Sequence, residues 1–123
     1  MLKTFQDALS KLIQDICGEL QITQAISNFS IPDSHQLPLR AIATELLRNA
    51  KFHSGASHIE VLLRGVENRT YLEVSDNGVG GAQVNTSRLG RLGLVGVKER
   101  VEQLNGELEI ISSENGTCAK VIL

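Results

Sequence analysis

A strand-like stretch at residues 70–76 (TYLEVSD) runs directly into a segment with almost no side chains (NGVGG). Leu72 and Val74 alternate with polar residues, which is the pattern of a half-buried strand. A tight turn needs only one or two residues that tolerate positive φ, so three glycines exceed what a turn requires. The segment is therefore either a loop of no consequence or a backbone that approaches a ligand closely, with Asp76 fixed at a strand end to make a specific contact.

Length and charge restrict the classes of protein that remain. A chain of 123 residues is expected to form one domain, residues 1–123, around a single core. The net charge of -2 and the 3% aromatic content predict neither nucleic-acid binding nor attraction to an anionic membrane. Cys17 and Cys118 have no metal-ligand spacing, and no secretory signal or spanning segment is present, so a cytoplasmic setting is expected.

The hydrophobic pattern predicts an α+β fold. The first half is expected to contain a helix over 1–20, a strand within 22–30, a proline-flanked connection over 31–38 with a solvated His35, and a helix from Leu39 closed by Ser54 and Gly55. Strands 58–64 and 70–76 follow, joined around Gly65 and Asn68, and then a polar cover over 82–92. The chain is expected to finish with a helix from Gly93 stopped by Gly106 and with strands 107–112 and 117–123. This order predicts a two-layer sandwich in which helices cover one face of a mixed, mostly antiparallel sheet.

The leading helix has an apolar face that must be covered. Its apolar residues recur at a three-four spacing, namely Leu2, Phe5, Leu9, Leu12 and Ile16. We expect this face to pack against the chain's own sheet. The alternative is a helix–helix contact with another chain or with an upstream segment, since two heptads do not establish a coiled coil.

The helix after Pro38 carries a polar edge beside its buried stripe. Glu45, Asn49 and His53 are spaced at i, i+4 and i+8, so they stack above one another on the helix surface. Asparagine is a mediocre helix former, but its amide oxygen suits a hard cation. A merely polar helix edge is the alternative to a site for metal-assisted phosphate chemistry.

The helix from Gly93 predicts a phosphate contact. Gly93 and Gly96 leave backbone amides uncovered at a helix N-terminus, which favours anions. Arg88 and Arg91 in the preceding polar cover, or Lys98 on the helix itself, are the candidate counter-charges.

Four segments in order resemble the boxes of a known family, the ATP-binding catalytic domain of two-component sensor histidine kinases. That family shares a superfamily with gyrase, the ninety-kilodalton heat-shock chaperone and the mismatch-repair ATPase. The stretches that carry the resemblance are ELLRNAKFH, DNGVGG, GRLGLVGVKERV and ENGT, which together extend over nearly the whole chain. The short lid and GVKERVEQLNGELEI look most like the nitrate-sensor subgroup. The resemblance implies a Bergerat-type fold that binds ATP and Mg²⁺.

The resemblance also implies roles for individual residues. Asp76 would accept a hydrogen bond from the adenine amino group, and Gly78 and Gly80 would let the backbone pass beside the base. Thr117 would sit beneath the adenine, next to Asp76. Asn49 would coordinate Mg²⁺, Glu45 would orient or deprotonate the attacking group, and His53 would lie near the phosphates. The phosphate oxygens would be held by amides and side chains at Arg88, Gly93, Leu94 and Gly96.

Two departures qualify what the resemblance implies. In the second glycine box, Leu89 and Arg91 stand where many relatives have glycine, which puts close packing of the lid backbone on the triphosphate in doubt. The family transfers the phosphoryl group to a histidine on a separate dimerisation helix. No exposed helical histidine is expected as acceptor, since His35 is predicted in a loop, His53 belongs to the first of the four boxes and His58 is predicted at a strand start.

The expected function is a histidine-kinase catalytic domain that is inactive alone. Its expected partners are a dimerisation and phosphoacceptor domain and a response regulator, with neither nucleic acid nor direct membrane contact, and the isolated domain is expected to be monomeric. It would reside in the cytoplasm, either free or as the cytoplasmic part of a membrane-bound sensor. The alternatives are an anti-sigma-type serine kinase and a non-catalytic nucleotide-binding module.

Overall fold

Strands with alternating apolar residues form one mixed sheet in a computed structural model of the chain. The structure describes residues 4–52, 55–78 and 94–123. Within those residues the sheet has five strands in the order β1-β2-β3-β5-β4. β1 pairs with β2 in parallel, and the other pairs are antiparallel. The strands are β1 Gln21–Ile26, β2 His58–Val66, β3 Arg69–Asp76, β4 Glu107–Ser113 and β5 Gly116–Ile122. The predicted mixed, mostly antiparallel sheet is confirmed.

Three helices within the described residues complete the predicted order of elements. They are α1 Phe5–Cys17, α2 Asp33–Phe52 and α3 Leu94–Gln103. Alternate residues of the central strands are buried with them in one core, including Ile59, Val61, Leu63, Leu72, Val74, Ala119 and Val121. Residues two apart on a strand face the same side, so this burial identifies the helix-covered face of the sheet. In the described part of the chain, no helix is both long and apolar enough to cross a membrane.

Helix α1 buries its apolar face within the chain itself. Its first turn is capped by Thr4, whose Oγ1 accepts from Asp7 N–H at 3.1 Å. Leu9, Ile13 and Cys17 are at most 2% exposed, and α1 packs chiefly against α2. Burial raises the pKa of the Cys17 thiol, and that thiol donates to the Leu47 carbonyl oxygen at 3.6 Å. The predicted packing is thus intramolecular, but the main partner is a helix rather than the sheet.

Helix α2 begins earlier than the sequence predicted. The proline-flanked connection was expected to end at Pro38, yet the helix starts at Asp33 and includes both Pro38 and His35. A proline lacks the N–H that would bond four residues back, here to Ser34 in the first helical turn. Because Ser34 is exposed, water can hydrogen-bond that carbonyl oxygen, and Asp33 favours the helix N-terminus electrostatically. His35 is therefore helical and half-buried, not a solvated loop residue.

Helix α3 ends at Gln103, and the residue with positive φ that closes it is Asn105, not the predicted Gly106. Asn105 has φ 57° and its N–H donates to the Glu102 carbonyl oxygen, while Gly106 N–H donates to Val101, both at 2.9 Å. These two bonds form a Schellman motif, in which asparagine tolerates the left-handed conformation. Gly106 is required for a different reason, because a Cβ there would collide with the Ile122 carbonyl oxygen.

The β2–β3 hairpin turns at Glu67 and Asn68, with φ 51° and 66°. Positive φ at both central residues is the type I′ geometry that matches the twist of the flanking strands. Gly65 was expected in this loop but lies inside β2, where an added Cβ would collide with the Phe29 ring. The glycine therefore allows close packing within the fold.

Candidate functional site

The end of β3 places the predicted adenine acceptor on the helix-covered face of the sheet. Asp76 lies two residues after buried Val74, so both side chains point to the same face. In the neighbouring strands Asp76 pairs with Ile59 on β2 and with Thr117 on β5. The predicted proximity of Asp76 and Thr117 is therefore present in the structure.

The Asp76 carboxylate is oriented by the backbone that follows it. Gly78 N–H donates to Asp76 Oδ1 at 2.9 Å, across two residues. An Asx turn of this kind fixes the side chain in one direction at the strand end. Gly78 is itself buried, so the chain passes close against the sheet end at this glycine.

Two hydroxyl groups extend this row of side chains across the sheet. Thr117 pairs with Ser112 on β4, and their hydroxyl oxygens lie 3.1 Å apart. Asp76, Thr117 and Ser112 thus occupy one row on three adjacent strands, half-buried beside the core. Sequence reasoning did not identify Ser112, although its place opposite Thr117 follows once the β4–β5 hairpin is in register.

Gly116 lets β5 approach the end of β3 closely. It has φ 139°, and an added Cβ would collide with the Asp76 carbonyl oxygen and come within 3.2 Å of Asn77 Cα. Only glycine fits both the backbone conformation and the space. The ENGT box therefore holds the strand end that carries Asp76, as well as supplying Thr117.

Helix α2 provides the second part of the candidate site. Glu45 and Asn49 lie one turn apart and are half-buried, next to the buried stripe that includes Leu46, Leu47 and Ala50. α2 packs against β3, the strand that ends at Asp76. Asn49 Nδ2 is buried and has no hydrogen-bond partner in the described part of the chain. A buried donor without a partner is costly, which favours a hydrogen-bond acceptor at this nitrogen.

Helix α3 begins with two of the predicted phosphate-binding positions. Leu94 is buried, whereas Gly96 is half-buried in the first turn. An added Cβ at Gly96 would meet only the flexible end of Arg100, at 3.2 Å from Nη1. Packing among the described residues therefore does not require glycine there. The Lys98 ammonium, a candidate counter-charge, lies 3.9 Å from the Glu102 carboxylate.

Several predicted site residues lie outside the described residues, namely His53, Gly80, Arg88, Arg91 and Gly93. Among residues 4–52, 55–78 and 94–123, no three His, Cys, Asp or Glu side chains form a metal-binding group. The predicted metal ligand, Asn49, has an amide side chain and is not one of these four residue types.

Sequence comparison identifies the family. Residues 34–123 match the family of histidine kinase-, DNA gyrase B- and HSP90-like ATPases. The chain therefore belongs to this family. It is similar to the sensor histidine kinase ComP of Bacillus subtilis, with 36% identity across 87% of this chain and 15% of that protein. It is also similar to the nitrate/nitrite sensor NarX of Escherichia coli, with 32% identity across 75% of this chain and 15% of that protein.

Structural comparison agrees on the fold. The histidine kinase domain of a blue-light activated kinase from Erythrobacter litoralis superimposes with a TM-score of 0.77 at 16% identity, across 97% of this chain and 60% of that chain. The predicted fold class and the resemblance to sensor histidine kinases, including the nitrate-sensor subgroup, are confirmed. The chain spans 15% of the length of ComP and of NarX.

Replacing Gly116 tests how tightly β5 abuts Asp76. Gly116→Ala should lower the free energy of unfolding by about 2 kcal/mol or more, because the strained φ and the collision with the Asp76 carbonyl oxygen act together. Gly96→Ala is the matched control and should be neutral or stabilising, since alanine favours a helix interior by about 0.5–1 kcal/mol over glycine. Urea unfolding followed by circular dichroism measures both. Equal effects of the two substitutions would contradict the close approach at Gly116.

Proposed function

We propose that this chain binds Mg-ATP and donates the γ-phosphoryl group to a histidine on a dimerisation helix outside the chain, for relay to a response regulator. The observation that carries this proposal is the row formed by Asp76, Thr117 and Ser112 at the sheet end, beside the helix that bears Glu45 and Asn49. Family membership and the sensor-kinase names of the relatives support it.

Asp76 would recognise adenine. The base presents an exocyclic amino group, and a carboxylate held at a strand end can accept from it specifically. The bond from Gly78 N–H to Asp76 Oδ1 holds that carboxylate in one orientation before the base arrives. Thr117, directly opposite Asp76 in the register, would line the floor of the same pocket, and Gly80 would continue the backbone alongside the base.

Asn49 would hold Mg²⁺ against the phosphates. The fit to Mg²⁺ rests on the amide oxygen of Asn49, which is the ligand type that this cation prefers. The Nδ2 group, which has no partner within the described residues, would donate to a phosphate oxygen instead. When bound, the cation would neutralise charge on the phosphate oxygens. Glu45, one turn before Asn49, would orient or deprotonate the attacking group, and His53 would lie beside the phosphates as a donor or a polar wall.

The amides at the start of α3 would bind phosphate oxygens. Gly93, Leu94 and Gly96 supply backbone N–H groups at a helix N-terminus, which favours anions. The room around Gly96 is consistent with a close approach, because among the described residues only the end of the Arg100 side chain lies near it. Arg88 would add a charge-assisted contact.

The phosphoryl acceptor would come from outside the described residues. His35 is helical, contrary to the sequence prediction, but it lies 14 residues from Asn49, or about 21 Å along α2. His58 Nε2 lies 2.9 Å from Thr23 Oγ1 on the opposite face of the sheet from buried Ile59. Neither imidazole is placed for in-line attack on a phosphate bound at Asn49, since transfer requires reacting atoms about 3–3.5 Å apart.

Asp76→Asn should weaken ADP binding at least tenfold. The variant can keep the Gly78 bond through Oδ1, but it turns the other oxygen into a donor that faces the adenine amino group, at a cost of about 1–3 kcal/mol. Isothermal calorimetry measures the affinity, and the melting temperature without nucleotide should change little. Asp15→Asn, at an exposed ion pair on α1, is the control and should leave affinity unchanged. Equal ADP affinity in Asp76→Asn would place the base elsewhere.

Asn49→Ala should abolish the gain in ATP affinity that Mg²⁺ provides. Alanine removes the side-chain oxygen that this position offers the cation, whereas Asn49→Asp keeps a side-chain oxygen there and should retain part of the gain. The measurement is an ATP titration of each variant with and without Mg²⁺. A metal-dependent gain that survives in Asn49→Ala would assign the cation to another ligand.

The isolated chain should bind Mg-ATP without labelling itself and should hydrolyse ATP only at a trace rate. The physical reason is that phosphoryl transfer depends mostly on positioning, and no described histidine is in line. Adding a dimerisation helix pair that carries the cognate histidine should give acid-labile, base-stable phosphate on the added protein. Strong self-labelling that is lost on changing His35, His53 or His58 would contradict the proposal. Acid-stable, base-labile phosphate on a serine of an added partner would indicate a serine kinase of the anti-sigma type.

A further inference from the structure

A single side chain ties the end of β3 to the segment that enters β2. Asn77 Oδ1 accepts hydrogen bonds from Ser57 N–H and His58 N–H, both at 3.0 Å. Asn77 Nδ2 donates to Ser57 Oγ at 3.0 Å, and Asn77 N–H donates to the His58 carbonyl oxygen at 3.3 Å. Every donor and acceptor in this group connects the same two segments, which are about 20 residues apart in sequence.

The chemistry of this contact is specific to a short side chain with a carbonyl oxygen. One oxygen with two lone pairs receives two successive backbone amides, and the second polar atom of the side chain reaches the Ser57 hydroxyl. Aspartate could reproduce all three bonds, because its second oxygen can accept from that hydroxyl. Alanine would remove all three, leaving only the backbone bond to His58.

This contact adjoins the part of the proposed site at the end of β3. Asn77 directly follows Asp76 and precedes Gly78, whose N–H orients the Asp76 carboxylate. On the other side, Ser57 is eight residues after Asn49, in the segment that leads from α2 into β2. The Asn77 side chain therefore fixes the end of β3 against the start of β2.

We propose that Asn77 is a positioning residue for the nucleotide. It acts on the base through Asp76 and Gly78, because its bonds fix the end of β3 against the start of β2. This inference rests on the proposed nucleotide site.

The test compares Asn77→Ala with Asn77→Asp. ADP affinity measured by calorimetry should fall about tenfold in the alanine variant, the size of effect expected for lost hydrogen bonds, and stay within about twofold of the parent chain in the aspartate variant. Asn28→Ala, at an exposed asparagine after β1, should leave the affinity unchanged. Amide hydrogen exchange without nucleotide should accelerate at Ser57 and His58 in Asn77→Ala alone.

The outcomes separate this role from the proposed function. If the parent chain binds no adenine nucleotide, the proposed function is wrong and this role falls with it. If the parent chain binds ADP and Asn77→Ala binds it equally well while the Ser57 and His58 amides exchange faster, only the positioning role is wrong. If Asn77→Ala does not fold, Ser57→Ala replaces it as the test, since it removes only the bond to Ser57 Oγ. A two- to threefold loss of ADP affinity in Ser57→Ala then supports the role, and no loss overturns it.

Discussion

The close contact between Gly116 and the Asp76 backbone is the constraint on which the site depends. β5 can reach the end of β3 only because Gly116 has no Cβ, and the register that follows puts Thr117 opposite Asp76 and Ser112 opposite Thr117. A shift of one residue would turn all of these side chains to the other face of the sheet. The glycine therefore permits the register in which these three polar groups share the helix-covered face, even though it contributes no side chain of its own.

The sequence predicted the parts of this arrangement that depend on local pattern. Alternation located the strands, three-four spacing located the helices, and the position of Asp76 between a strand and glycines located the candidate base contact. Glu45 and Asn49 were found for the same reason, because helical spacing alone puts them one turn apart. The family resemblance then supplied the roles, which remain proposals for the individual residues.

The parts that the sequence missed depend on long-range contacts or on exceptions to local rules. Asn77 bonds to Ser57 and His58, about 20 residues away, and nothing in the stretch NGVGG predicts those partners. Pro38 was read as a helix boundary, but in the second turn of α2 it removes one bond to an exposed carbonyl group, a small loss next to the burial of Leu39 and Ile42. Asn105 closes α3 although the glycine beside it is the commoner choice.

The candidate residues on α2 are half-buried because one face of this helix packs in the core and the adjoining edge borders the site. Leu46, Leu47 and Ala50 anchor the helix in the core, so Glu45 and Asn49, on the adjoining edge, are held without being fully enclosed. Full burial would impose a desolvation cost on these polar groups, and full exposure would let water compete with a ligand for them. The same boundary position applies to Asp76 and Thr117 at the sheet end. The single core that contains both Leu47 of α2 and Val74 of β3 thus fixes the two halves of the site relative to each other, and the polar contacts of Asn77 add a local constraint at the strand end.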